Sequence, residues 1–343
     1  MTDWTKLSFK VQPTKSIIIS RFCDGLWSEP VVTSDFNFSL DVFAGVFHYS
    51  NSCFEGLKAF RGKDGKVRIF RPDENAARMA RSGRYLEMPT PSEDLFIKMC
   101  VMCVEENIDY LPPYGYNGSM YIRPVLIGVN PQLNVESSSE SIFAVMCNPV
   151  GTYTGSASLT SIPAVISRDF DRVATNGTGS YKLGANYAPS FHPYKIAKSQ
   201  GYKELLFLDC ASHSKIDEFG TSNFMAIKGD SYITPLSGSV LPSITNKSLQ
   251  QIASDFGMKV ERREVFVEEL SEFEEVGACG TAVVITPICS IDDKPLLEGP
   301  EVSRHYEFCA QGQVGPTSKK LYEHLRGIQD GLVEDIHDWC MVL

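Results

Sequence analysis

At 343 residues the chain is long for one hydrophobic core, so two domains are expected. Hydrophobic residues make up 43% and charged residues 22%, the balance of a globular chain rather than a disordered or fibrous one. A net charge of −10 argues against nucleic acid or an anionic membrane surface as partner.

The ten cysteines are scattered through core-like runs, which favours reduced, buried thiols over a disulfide framework. Cys100-Val101-Met102-Cys103 has the spacing of half a zinc site, but no second Cys or His pair stands nearby, so no metal is expected. Met1-Thr2-Asp3-Trp4 lacks the basic-then-apolar layout of a signal peptide, and no apolar run reaches the length of a membrane span. A cytoplasmic location follows as the expectation.

Ser16-Ile17-Ile18-Ile19-Ser20 reads as a strand ending in a turn at Asp24-Gly25. Residues 57–61 and 66–70 flank Gly62-Lys63-Asp64-Gly65 and predict a hairpin. Pro72 suits the first turn of a helix carrying Arg78 and Arg81. Thr90-Pro91-Ser92-Glu93 has capping-box spacing and predicts a helix to about Asn107. Residues 119–128 read as a strand with Tyr121, Arg123 and Val125 on one face, and 142–146 as another. These elements predict an α+β domain over 1–153. A Gly, Ser and Thr-rich run from 151 to 161 suggests an interdomain linker, bounded at 154–167, before a larger domain over 168–343.

The second half turns on Arg172-Val173-Ala174-Thr175-Asn176-Gly177-Thr178-Gly179-Ser180-Tyr181-Lys182-Leu183-Gly184-Ala185-Asn186-Tyr187. A lysine among small and glycine-rich residues suits an amine that must lose its proton in a crowded pocket and attack an aldehyde; the plain alternative is a solvated loop lysine. Residues 203–208 predict a strand, 216–223 a loop, and 224–227 and 231–234 further strands. Leu241-Pro242-Ser243-Ile244-Thr245-Asn246 opens a helix that Gly257 stops, and a helix start suits a phosphate. Gly277-Ala278-Cys279-Gly280-Thr281-Ala282 is a turn able to present amides and a hydroxyl to an anion, ahead of a strand over 283–285. Thr317 is the expected cap of a last helix through Ile328.

Six motifs then stand in order: His48-Tyr49 with Phe54-Glu55-Gly56-Leu57-Lys58-Ala59-Phe60; Tyr121-Ile122-Arg123-Pro124; Tyr181-Lys182-Leu183-Gly184-Ala185-Asn186-Tyr187; Glu218-Phe219-Gly220-Thr221; Leu241-Pro242-Ser243-Ile244-Thr245; and Gly280-Thr281-Ala282. Over roughly residues 10 to 330 the chain resembles the branched-chain amino acid aminotransferases, of the two-domain fold-type IV enzymes that use pyridoxal 5′-phosphate (PLP). The resemblance implies transamination of leucine, isoleucine and valine with 2-oxoglutarate. It implies that Lys182 holds PLP through its amine and shuttles the proton, that Glu218 faces the pyridine nitrogen and that Tyr187 donates to the ring's phenolic oxygen. Arg78, Ile244, Thr245 and Thr281 would take the phosphate, with Arg172 near that end and Thr221 and Leu241 also lining the cofactor site. Tyr121, Thr281 and Ala282 would meet the substrate α-carboxylate, and Tyr49, Phe54 and Tyr153 would wall the side-chain pocket. Arg123, ~7 Å along the strand from Tyr121, would reach the γ-carboxylate of glutamate, or else hold the strand by pairing with a neighbouring carboxylate. Leu133 and Val135 match a loop that enters the neighbouring subunit's site, which implies a homodimer.

Two positions depart from the family pattern. Val283 and Thr286 stand where some animal members carry a redox C-x-x-C pair, and Asn134 replaces the glycine common in the partner loop. The nearest rivals are a D-amino acid aminotransferase or an aminodeoxychorismate lyase of the same fold, and a catalytically silent homologue.

Overall fold

Residues 119–128 organise the first sheet, because Met120, Ile122 and Leu126 are fully buried on one face while Tyr121, Arg123 and Val125 stand half-buried on the other. The computed structural model describes residues 3–151, 159–297 and 302–343. The chain divides into two compact units: Met1–Gly155 with Tyr181–Ala185 and Gly327–Leu343, and Ser156–Ser180 with Asn186–Arg326.

In the first unit, β1 (Ile17–Cys23), β2 (Leu26–Trp27), β3 (Val31–Thr33), β4 (Ser52–Phe54), β5 (Leu57–Arg61), β6 (Val67–Phe70), β7 (Ser119–Gly128) and β8 (Ser141–Val150) join the tail strand Cys340–Val342 in one antiparallel sheet. Its order is tail-β6-β5-β7-β8-β1-β2, with β3 on β1 and β4 on β7. The α-helices among its described residues include α1 (Gly45–Tyr49), α2 (Pro72–Tyr85) and α3 (Glu93–Glu106). Phe96, Met99, Cys100, Cys103 and Val104 of α3 are buried in the same core as Phe143, Met120 and Ile122. Burying each of the Phe, Met and Val side chains contributes about 1.5–3 kcal/mol, and Cys100 and Cys103, three residues apart on the helix, share that inward face.

The cap of α3 is Ser92, whose Oγ accepts the Leu95 amide at 3.2 Å, and not Thr90. The Thr90 carbonyl instead accepts the Trp27 indole at 3.2 Å, so Pro91 precedes the cap rather than opening the helix.

The second unit holds β9 (Ile162–Ser167), β10 (Glu204–Leu208), β11 (Ile216–Phe219), β12 (Asn223–Lys228), β13 (Ser231–Pro235), β14 (Lys259–Arg263), β15 (Glu275–Gly280), β16 (Val284–Lys294) and β17 (Arg304–Glu307), with α4 (Phe191–Ser199), α5 (Ile244–Asp255) and α6 (Pro316–Gln329) up to Arg326. The order β11-β10-β9-β16-β15-β12 closes on itself through the β11–β12 pair, β13 and β14 extend it, and β17 pairs with β16. Ile166, Leu206, Phe219, Phe224, Ala278 and Ile288 are buried inside this sheet's core.

Three local expectations change. The end of the segment read as a linker is β9, which pairs in parallel with both β10 and β16. Glu218 lies on a strand rather than in a loop, because β11 pairs with β10 and Glu218 itself pairs with Asn223. The first amides of α6 at Thr317 and Ser318 donate to Glu275 at 2.9 and 2.7 Å, so a buried carboxylate from β15 caps the helix that Thr317 was expected to cap.

Candidate active site

Lys182 is held by its backbone before its side chain does anything. Its amide donates to Ser82 Oγ of α2 at 3.0 Å, its carbonyl accepts the Phe54 amide at 3.2 Å, and Leu183 bridges Cys53. Beside it the Tyr181 ring stacks on Tyr85 with centroids 4.0 Å apart. These contacts place the Lys182 Nζ 4.9 Å from the centre of the Phe54 ring.

Phe54 pairs opposite Val125, so its ring falls beside Arg123, two residues along the same face of β7. The Arg123 guanidinium carbon lies 4.7 Å from the Phe54 ring centre and 5.2 Å from that of Tyr121, and Nη2 donates to Tyr121 Oη at 3.2 Å. Among the described residues no carboxylate pairs with Arg123, and its Nε is buried without a hydrogen-bond acceptor. Gly56 permits this approach: a Cβ there would overlap the Tyr121 hydroxyl. A primary amine and a guanidinium thus share one aromatic ring.

On α2, Arg78 is buried and grips Glu55 through Nε and Nη2, each at 2.7 Å. Tyr49, at the end of α1, donates its hydroxyl to the Leu133 carbonyl at 2.5 Å. Leu133 and Val135 are 70% and 87% exposed. Tyr153 lies outside the described residues.

In the second unit Glu218 is buried on β11. Oε1 meets Arg172 Nη2 at 2.9 Å and accepts the Leu241 amide at 3.1 Å, while Oε2 accepts Asn223 Nδ2 at 2.7 Å. Burial pushes this carboxyl upward, against the pull of Arg172, the Leu241 amide and Asn223. Arg172 therefore stands on the carboxylate expected to face the pyridine nitrogen, because an enclosed carboxylate draws a guanidinium. Its Nη2 also donates to the Ser239 carbonyl, while its Nε is buried without an acceptor. A side chain at Gly179 would overlap that carbonyl.

Ile244 and Thr245 are the first two residues of α5, capped by Ser243, whose Oγ accepts the Asn246 amide at 3.2 Å. Their amides belong to the helix start, where no intrahelical acceptor exists. Thr221 is exposed in the short link between β11 and β12, and Tyr187 is half-buried just before a 3₁₀ turn at Ala188–Ser190. Thr281 and Ala282 form the turn between β15 and β16. Val284, two residues after Ala282, has φ of 67°, a left-handed value costly for a β-branched residue. Strain of this kind concentrates at functional turns. Cys279 beside the turn is buried, which pushes its thiol up to about 12, so it is a packing residue and not a reactive one.

Residues 52–291 match the family described as Amino-transferase class IV. A branched-chain-amino-acid aminotransferase of Helicobacter pylori is 42% identical over 339 residues, spanning 98% of this chain and 96% of the relative. The chain is a class IV aminotransferase. A branched-chain-amino-acid aminotransferase of Haemophilus influenzae is 40% identical over 346 residues, covering 99% of the aminotransferase and 98% of the relative. The solved branched-chain amino acid aminotransferase of Escherichia coli matches with a TM-score of 0.77 at 26% identity, over 95% of this chain and 98% of that one. The fold is therefore that of the fold-type IV enzymes, and the cofactor is PLP.

The residues present fit that cofactor. The first unit offers a fixed amine at Lys182; the second, taken by itself, offers a buried carboxylate at Glu218, a capped helix start at Ile244-Thr245 and a buried Arg172 Nε without an acceptor. Sequence reading overlooked the residues behind these groups: Ser82 under Lys182, Asn75 and Glu55 around Arg78, and Asn223 and Asn246 around Glu218. Only Glu55 carried a signal, as a charged residue inside the Phe54-Glu55-Gly56 motif.

Proposed function

We propose that this aminotransferase moves the amino group of leucine, isoleucine and valine to 2-oxoglutarate, giving branched-chain 2-oxo acids and L-glutamate. The observation that carries the reading is the Phe54 ring, with the Lys182 amine 4.9 Å from its centre and the Arg123 guanidinium, without an ion pair among the described residues, 4.7 Å from it. An aliphatic side chain needs an apolar wall, whereas a γ-carboxylate cannot be buried without a positive partner. The ring supplies the wall, and the guanidinium over it supplies the partner.

PLP supplies a ring that takes up the charge left when the substrate α-proton departs. Lys182 holds the cofactor and moves that proton with Nζ. Glu218 keeps the pyridine nitrogen protonated, and Asn223 and the Leu241 amide hold its two oxygens in place. Arg78, Ile244, Thr245 and Thr281 take the phosphate, Tyr187 the phenolic oxygen, and Thr221 and Leu241 line the same site. Tyr121, Thr281 and Ala282 orient the substrate α-carboxylate, and Tyr49, Phe54 and Tyr153 wall its side chain. Leu133 and Val135 complete the pocket of a second copy in a homodimer.

A cytoplasmic location is part of the proposal, supported by the described cysteines, all of which are free thiols. No described helix is long and apolar enough to cross a membrane.

An amino-donor panel with 2-oxoglutarate as acceptor tests the reading. Leucine, isoleucine and valine should be the best donors. Preference for D-amino acids, or amino transfer that does not use 2-oxoglutarate, would overturn it.

A further inference from the structure

Glu55 is 0% exposed, a rare place for a carboxylate. It sits directly after β4, next to Phe54, yet the chemistry proposed above gives it no task. Oε1 accepts Arg78 Nε at 2.7 Å; Oε2 accepts Arg78 Nη2 at 2.7 Å, Asn75 Nδ2 at 2.7 Å and the Gly56 amide at 3.2 Å. Asn75 also donates to the Gly56 carbonyl at 3.2 Å. Asn75 and Arg78 are three residues apart on α2, so they share a face of the helix, and Glu55 grips that face.

A two-pronged pair of this kind fixes the plane of a guanidinium as well as its position. Rotation about the Arg78 Cδ–Nε or Nε–Cζ bond would break at least one prong. Glu55 engages the Nε–Nη2 edge of the guanidinium. A buried guanidinium without a counter-charge would be strongly disfavoured. Glu55 thus gives the nearly buried Arg78 its counter-charge and fixes its orientation.

We propose that Glu55 is a positioning residue for cofactor binding: it holds the Arg78 guanidinium in place and in plane for the PLP phosphate. This rests on the reading that Arg78 meets that phosphate. The competing account is that Glu55 only staples the β4–β5 junction to α2, in which case its loss would disturb every ligand alike.

PLP and pyridoxal differ only in the phosphate, and both can bond to the same lysine, so their affinities separate the two accounts. Equilibrium titrations of the full-length apoprotein, followed by fluorescence, compare the parent with E55Q, R78M and E55Q/R78M. Glu55→Gln should weaken PLP about ten- to a hundredfold, the usual effect of losing a charge-assisted contact, while pyridoxal changes less than about threefold. Adding E55Q to R78M should change PLP affinity by no more than about twofold, because the group it positions is already gone. Equal loss of both ligands, or a PLP loss undiminished in the R78M background, overturns the Glu55 proposal alone. An R78M protein with an unchanged PLP-to-pyridoxal ratio overturns the Arg78 reading and the proposal with it. If E55Q does not fold, Glu55→Asp, which keeps the charge but retracts it from the fork, takes its place with the same selective loss of PLP expected.

Discussion

Lys182 and Arg123 reach the same ring from distant parts of the sequence, and the tasks proposed for them separate in kinetics. Lys182→Ala removes the amine that Ser82 and Phe54 hold in place through its backbone. Turnover should fall by at least about a thousandfold, the scale of a lost general base, while the protein still folds and takes up PLP. Activity within about tenfold of the parent, about 1.4 kcal/mol in barrier, would remove the lysine from its role. Arg123 makes no ion pair among the described residues, so its charge is not spent on holding β7. Arg123→Met should raise KM for glutamate and 2-oxoglutarate about ten- to a hundredfold and leave leucine nearly untouched. Half-reactions measured one substrate at a time would show this; equal losses for leucine and glutamate would make Arg123 structural. Glu204 concerns stability instead. It is buried on β10, accepts the Tyr194 hydroxyl and the Leu205 amide, and burial pushes its carboxyl up to about 6. The folded chain holds this proton to about pH 6, whereas an unfolded chain releases it near 4.3. Protons bound by the folded state alone stabilise it, so stability falls as pH rises through that window, by about 2 kcal/mol. Glu204→Gln should flatten the melting temperature between pH 4.5 and 6; an unchanged slope would acquit the residue.

At the scale of elements, chain ends and turns are set by partners far along the sequence. The first turn of α6 depends on Glu275 of β15, whose two oxygens take the Thr317 and Ser318 amides. A carboxylate there satisfies two orphan donors and meets the positive end of the helix dipole. Glu275→Ala should cost about 2 kcal/mol, a fall of roughly 4–8 °C in melting temperature, with little change in kcat/KM. Calorimetry alongside a leucine assay checks both halves, and an unaltered melting temperature would show that the helix start finds other acceptors. In the turn that carries Thr281 and Ala282, the amide of Ile285 donates to the Val283 carbonyl at 2.9 Å around the left-handed Val284. The sheet pairs on both sides, Gly280 with Val284 and Cys279 with Ile285, hold that strained residue in place.

At the scale of the whole molecule, the first unit leaves Val42, Phe47, Leu133 and Val135 at 61–87% exposure. The segments bearing them are tied together by the Ala44–Pro131 bridge and by the Gln132 amide on the Phe43 carbonyl at 3.0 Å. Apolar side chains gathered in this way favour burial against another surface, which accords with the proposed homodimer. Sedimentation should therefore give a dimer, and the pair of substitutions L133D and V135D should yield monomers with most activity lost. A parent enzyme that sediments as an active monomer would defeat that account. Much of this molecule was already legible in its residues. The bounds of β7, the hairpin of β5 and β6, the helices α2, α3 and α5, and the glycine-rich surroundings of Lys182 were readable because period, capping and turn chemistry act within a few residues. The family could be read from motifs for the same reason. What the tertiary structure decided lies at long range: β9 as a parallel neighbour of β10 and β16, Glu218 on a strand, the tail strand on β6, and the Tyr181–Ala185 segment within the first unit. The same is true of Glu55 on Arg78, 23 residues away, and of Glu275 on Thr317, 42 away. Ion pairs and parallel strand pairs join groups whose neighbours in sequence carry no mark of the pairing, since only the closed loop between them brings the charges or strand edges together.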